Sequence, residues 1–339
     1  MNKLRKIGVS ALAGALVSFS ASAAEWNLSG SAGITMSNAD EGTAASSFSQ
    51  DDNIVVSASG TTENGIDVAA MFKIENGTGG AYDEFNVSFG TDTLGTVTFH
   101  GHGGSPVMGQ FDDITPKAYE EVWDIGGVDE SSTSNDASTS RINGVGEQNN
   151  IFTYQSPSIQ GLTFKAAYAT ANANAATSSG NDTKGSYSRY MDWGVQFSPE
   201  MVDGLTLYYA QGTTTAATVD TDESTIGLTY AYGPVTVGYQ ESESDVENSS
   251  NDDEVEQYSI AYAISDNLSV SYGEREYDHN TGTASGDGSE TQKDSGFGVS
   301  YTMGGLSIGG SMNEHENNAG ATKTSADFDS YEVTVSFAF

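Results

Sequence analysis

The densest group of residues able to do chemistry lies in the stretch GQFDDITPKAYEEVWDIGG, residues 109–127. It carries Asp112, Asp113, Glu120, Glu121 and Asp124. The chain has no cysteine and four histidines, His100, His102, His279 and His315. A thiolate nucleophile and a Cys-based zinc site are therefore excluded. His100 and His102 lie two residues apart and share one face of an extended chain. A zinc site there needs further ligands, and a hydrolytic site would have to recruit one of only four histidines. Carboxylates gathered in a loop point instead to selection by charge, as in a constriction lined by acids. The plainer alternative is a solvated surface loop. Thr115 as N-cap, Pro116 at the first helical position and Gly126/Gly127 as a stop predict a short helix within the loop.

The segments that must position this loop alternate with period two. Trp26/Leu28/Ile34/Met36, Ile66/Val68/Ala70/Phe72/Ile74, Leu162/Phe164/Ala166/Tyr168, Ile226/Leu228/Tyr230/Tyr232 and Tyr258/Ile260/Tyr262/Ile264 are examples. About sixteen such segments occur, each near the 9–11 residues of a tilted membrane-spanning strand. The opposite faces are Ser, Thr, Gly and Ala, with Lys73, Lys165 and Arg275 among them. Periodicity alone fits a sandwich or a barrel. The connections decide: short turns such as TENG (62–65), SPEMVDG (198–204) and GG (304–305) alternate with long Asp/Asn/Ser/Gly-rich loops. The longest loop runs from about 104 to 148. Others fall near 37–51, 76–82, 171–189, 213–223, 243–255, 277–293 and 314–327. The fold class expected is all-β, a transmembrane antiparallel barrel of about 16 strands. Closure removes the strand edges that lipid could not satisfy.

The two ends agree with this plan. Lys3, Arg5 and Lys6, then an apolar stretch from Ile7 to Phe19, then small residues at Ala21 and Ala23 make a secretory signal over 1–23. Cleavage is expected after Ala23, leaving 24–339 as the barrel. The chain closes on YEVTVSFAF, in which Tyr331, Val335, Phe337 and Phe339 share one face. The net charge is −35; 12 basic residues stand against 47 acidic ones, and three of the basic ones lie in the signal. Nucleic acid is excluded as a partner, and small cations are favoured. An acidic disordered chain is excluded because aromatics make up 10% and fall at period two.

Four features resemble the general-diffusion porins of Gram-negative outer membranes, over roughly residues 24–339. They are the terminal V-x-V-x-F-x-F pattern, the strand LGTVTFHGHG (94–103), the long loop after it, and NNIFTYQSPSIQGLTF (149–164). The resemblance implies a sixteen-stranded barrel and a homotrimer, with the third loop folded inward to narrow the pore. It also implies that the strand ending in Phe339 is read by the barrel-assembly machinery. One departure is Gly101-His102, where the family commonly has Gly-Arg. Arg141, Arg189 and Arg275 are the only arginines beyond the signal, so the family's basic wall is thin. Residues expected to narrow or line the pore are Asp112, Asp113, Glu120, Glu121, Asp124 and Arg141 on the loop. Lys73, His100, His102, Lys165 and Arg275 are expected on the wall. The two histidines would make their charge pH-dependent.

The expected function is passive diffusion of ions and small hydrophilic solutes across the outer membrane, with a preference for cations. Outer-membrane lipid and lipopolysaccharide are the expected surroundings. A substrate-specific channel with an aromatic track is the alternative, although inward aromatics are few, Tyr208 being one. A Ca²⁺-binding surface barrel is another: the acidic runs 38–42 and 241–256 offer oxygen ligands, alone or bridging lipopolysaccharide phosphates. They match no EF-hand loop, and a self-repelling solvated surface is the plainer reading. No cofactor and no enzymatic activity are expected.

Overall fold

The computed structural model describes residues 25–39, 46–75, 83–123, 142–146, 149–170, 187–216, 219–247, 252–280, 290–318 and 327–339. The signal segment, Asp124 and Arg141 lie outside them. Sixteen strands form one closed antiparallel barrel in which each pairs with its sequence neighbours and the last pairs with the first. They are β1 (Glu25–Ala39), β2 (Ser47–Thr61), β3 (Asp67–Glu75), β4 (Glu84–Thr91), β5 (Gly95–His102), β6 (Ile151–Gln155), β7 (Leu162–Thr170) and β8 (Tyr187–Phe197). They continue as β9 (Leu205–Ala216), β10 (Asp220–Tyr232), β11 (Val235–Val246), β12 (Asp252–Ser265), β13 (Leu268–Asn280), β14 (Gln292–Met303), β15 (Leu306–Glu316) and β16 (Phe328–Ala338).

The seam joins Ser31 to Ala338, Ile34 to Val335 and Asn38 to Tyr331. Phe339 finishes it with two backbone bonds to Gly30, at 2.9 and 3.0 Å. Its ring stacks beside that of Phe337, and both remain more than half exposed on the outer face. That is where an apolar side chain belongs when the outer solvent is lipid. Val333, Val335, Ile308, Val299, Ile260 and Leu207 continue the band around the barrel, all exposed.

Several strands run past the expected loop boundaries. β11 continues to Val246 and β12 begins at Asp252, through a segment expected to be loop. Here the outward residues are acids, with Glu241 opposite Glu256, Glu243 opposite Glu254 and Asp245 opposite Asp252. Above the bilayer a barrel strand meets water on both sides, so it keeps its hydrogen bonds without an apolar face. Just below this acidic row stand Tyr239, Tyr258 and Tyr272, whose hydroxyls reach Glu241 and Glu274.

A water-filled barrel has no central core. Among the described residues the buried apolar cluster comprises Val107, Met108, Phe111, Ile142, Ile151, Tyr190, Ala210, Val255 and Tyr277, with two alanines of β7. It lies between the third loop and the inner wall.

Candidate functional site

The third loop enters the lumen after β5 through one short helical turn, α1 (Val107–Gln110). It then runs along the inner wall from β8 to β16. The helix expected from Thr115 to Gly126 is not formed through Trp123, and the rest of that span lies outside the described residues. The backbone groups that a helix would pair internally are taken by side chains of the wall. The Met108 N–H donates to Asp192 at 2.8 Å, the Ile114 N–H to Gln240 Oε1 at 2.9 Å, and the Ala118 N–H to Ser271 at 2.9 Å. Gln240 Nε2 donates to the Phe111 carbonyl, Gln257 to that of Asp112 at 3.2 Å, and Ser259 to that of Pro116. Buried backbone groups must be satisfied somewhere, and here the barrel satisfies them.

Close approach of the loop requires small residues beneath it. Gly194, Gly227, Gly238, Gly273, Gly298 and Gly309 all point inward, one on each of β8, β10, β11, β13, β14 and β15. A Cβ on Gly227 would come within 2.5 Å of the Ile114 side chain, and one on Gly273 within 3.1 Å of Val122. A Cβ on Gly309 would overlap the ring of Tyr119. The loop therefore sits in a trench with a glycine floor. At its far end the Tyr119 hydroxyl donates to Glu332 and lies 2.6 Å from Thr334, which in turn bonds Thr35 of β1 at 2.6 Å. Burial first, and then the Glu332 carboxylate, push the Tyr119 phenol above its ordinary pKa. It stays a proton donor throughout the working range.

The expected site residues separate into three groups. On the loop, Asp113 is tucked into its own turn: its side chain is 4% exposed, takes the Thr115 N–H and hydroxyl at 3.0 and 2.7 Å, and pairs with Lys117 at 3.0 Å. Lys117 also pairs with Glu121. Asp112, Glu120 and Glu121 are partly exposed. On the open wall, Lys73 is held by Glu75, Asp83 and Glu84 at 2.6, 2.7 and 3.3 Å. His100 bonds Thr153 at 3.1 Å, and His102 stands past a bulge at Gly101. Lys165 points inward, donates to Gln110 at 2.8 Å and lies over the Phe111 ring.

Arg275 departs from expectation. It faces inward but is buried at 2% exposure beneath the loop, ion-paired to Asp294 at 3.2 Å and stacked against Trp123 and Tyr277. It supports the loop and does not line the pore. Beside it, Asp294, His315 and Ser330 form a hydrogen-bonded chain: His315 Nδ1 to Asp294 at 2.8 Å and Nε2 to Ser330 at 2.9 Å. The order is that of a hydrolytic triad. Ser330 is only 4% exposed and His315 is fully buried against Phe328. No carbonyl can approach the Ser330 hydroxyl, so the chain is a structural polar network.

Asp192, Gln240, Gln257, Tyr119 and the glycine floor were not among the expected site residues. Apart from Tyr119, which lies on the loop, their common signal is a glycine or a single polar side chain at inward parity in successive strands of the second half, where small hydroxyl residues otherwise prevail. The inward aromatics Phe111, Tyr119, Trp123, Tyr190, Tyr208 and Tyr277 dock the loop, as in the edge-on contact of Phe111 with Tyr208 at 5.4 Å. They form no open sugar track. Among the described residues, no group of three or more carboxylates or histidines is placed to hold a metal ion.

A family model described as Gram-negative porin matches residues 8–293. A comparison with curated protein sequences finds no match. Among solved structures, the anion-selective porin from Comamonas acidovorans is similar with a TM-score of 0.66 and 13% identity, over 93% of this chain and 100% of that one. OmpT of Vibrio cholerae in its trimer form gives 0.64 and 14%, over 94% and 100%. A variant of the Rh. blastica porin gives 0.63 and 15%, over 93% and 100%. At such identities the likeness is one of fold.

Proposed function

The chain belongs to the Gram-negative porin family, and from that premise we propose a pore that passes small hydrophilic solutes and prefers cations. A porin is an outer-membrane diffusion channel and not an enzyme. The cation preference is the finer reading, and one observation carries it. Among the described residues, every inward Lys or Arg is engaged: Lys73 by three carboxylates, Lys117 by two, Arg275 by Asp294, and Lys165 by Gln110 and an aromatic face. On the loop Asp112 and Glu120 are partly exposed and supply the negative charge of this reading. Charges in a narrow eyelet are screened less than at an open surface.

The reversal potential in a KCl gradient across a planar bilayer tests the reading. K⁺ should be preferred over Cl⁻ at neutral pH, and D112N/E120Q should move the potential toward zero. Anion selectivity of the wild-type pore refutes the charge argument. Three further expectations belong to the same reading: export through a signal cleaved after Ala23, recognition of the Phe339 strand by the assembly machinery, and a homotrimer in lipopolysaccharide. The trimer form of the Vibrio cholerae neighbour supports the last.

A further inference from the structure

Beneath the roots of the pore loop lies an acidic pair, Asp192 fully buried and Glu223 partly so. Asp192 on β8 and Glu223 on β10 both stand opposite Gly212 of β9. They flank a residue with no side chain, their backbones two strand spacings or about 10 Å apart along the sheet. The row lies at the edge of the apolar band: its outward neighbours are the exposed Met191 and the polar Thr213 and Asp222, the latter two hydrogen-bonded at 2.6 Å. Asp192 is 1% exposed, and its Oδ2 accepts the Met108 N–H at 2.8 Å and the Tyr190 hydroxyl at 3.0 Å. Glu223 takes the backbone N–H of Gly144. Gly144 rests on the Tyr190 hydroxyl so closely that a Cβ could not fit. Met108 is on the arm entering the lumen and Gly144 on the arm leaving it, so the pair fastens both.

One oxygen on each acid, Asp192 Oδ1 and Glu223 Oε2, is sealed from solvent with no hydrogen-bond partner among the described residues. Ionising both acids without a counter-charge is costly, because each has an oxygen stripped of its hydration and each charge disfavours the other. The other titratable groups facing inward from the surrounding strands are Lys165 on β7, Tyr190 on β8, Tyr208 on β9, Asp253 on β12, and Arg275 and Tyr277 on β13. Arg275 is ion-paired to Asp294 at 3.2 Å. Lys165 is taken by Gln110, and Tyr277 donates to Asp253 at 3.0 Å. A proton is the remaining neutraliser within this described set. Asp192 has two donors on one oxygen and is the better-stabilised anion, which leaves the proton on Glu223.

We propose that Asp192 and Glu223 hold one proton between them at neutral pH, and that the singly protonated pair is the positioning element that keeps both arms of the pore loop on the wall. This rests on the reading of the loop as the element that narrows the pore. Alkali removes the proton from Glu223 to solvent. The second negative charge then repels Asp192, and the loop loosens at its roots.

The test is single-channel conductance and open-channel noise of the full protein between about pH 6 and about pH 10, a window on the alkaline side of ordinary carboxylates. The wild-type pore should show a step in both on the alkaline side of neutral, and E223Q, which has no proton to lose, should lack it. A wild-type pore that is narrow at pH 7 and featureless to the alkaline limit overturns this proposal alone. A neutral-pH conductance equal to that of an unobstructed barrel overturns the loop reading beneath it. An E223Q pore that keeps the step also overturns the proposal. So does R141Q producing at pH 7 the noise that the wild type shows only in alkali, because an arginine would then be the counter-charge.

Discussion

Gly309→Ala is the smallest change that tests whether the glycine floor holds the loop. A Cβ on this residue would lie 2.9 Å from Tyr119 Cγ, with Cδ2 and Cε2 nearer still. Carbon atoms settle at about 3.5–4.0 Å, so the ring must retreat by about 1 Å or more. The Tyr119 hydroxyl sits 2.6 Å from Thr334, and a retreat of that size carries it out of hydrogen-bond range. The loop either accepts the overpacking, at about 1–3 kcal/mol, or gives up bonds to Thr334 and a charged Glu332 worth about 1.5–3 kcal/mol. The cheaper route prevails, so the balance of docked over undocked tip should fall by about 5–150-fold. The barrel itself is untouched, because its ladder does not use the tip. Single-channel recording should show a lower mean current with added flicker as the freed tip swings into the lumen. Tyr119→Ala should produce the same noise, and adding Gly309→Ala to it should change nothing further. A silent Gly309→Ala, or one whose effect adds to that of Tyr119→Ala, would refute the reasoning.

Gln240→Leu should leave the barrel folded but expose the loop to protease. It strands the Phe111 carbonyl and the Ile114 N–H, at about 1–3 kcal/mol for each buried group left unpaired; unchanged loop digestion counts against the wall-to-loop bonds. Deleting Phe339 removes two backbone bonds to Gly30, each worth about 0.5–1.5 kcal/mol net. Thermal stability of a barrel already folded should therefore drop only slightly, while insertion in cells should fall sharply. Normal assembly of the truncated chain would sink the targeting role of the terminal strand.

The strands were legible because lipid imposes one rule on every outward residue, and Ile260, Val299 and Val335 obey it. The rule lapses where the barrel rises above the bilayer. Glu241, Glu243, Glu254 and Glu256 looked like loop because an outward acid in water carries the same signature whether or not its backbone is in a ladder. The loop was legible in length and charge but not in conformation. Thr115-Pro116 has the chemistry of a helix start, and the wall outbids it with Gln240, Gln257, Ser259 and Ser271, residues more than a hundred positions away. Arg275 failed for a related reason. Parity says that a side chain points inward, and only the covering Trp123 says that it never meets the water there.

The docking of Tyr119 on Glu332 and Thr334 also sets an order of events. Those partners belong to the last strand, and Thr334 is bonded to the first through Thr35. Tyr119 thus cannot make these bonds until β16 has joined the sheet, although its neighbour Ala118 is already held by Ser271 of β13. A nascent barrel still waiting for β16 lacks the Tyr119 anchor, and susceptibility of the loop tip to cleavage should report the arrival of that strand. The last strand therefore does two jobs at once: it completes the wall and supplies the final hold on the element that narrows the channel.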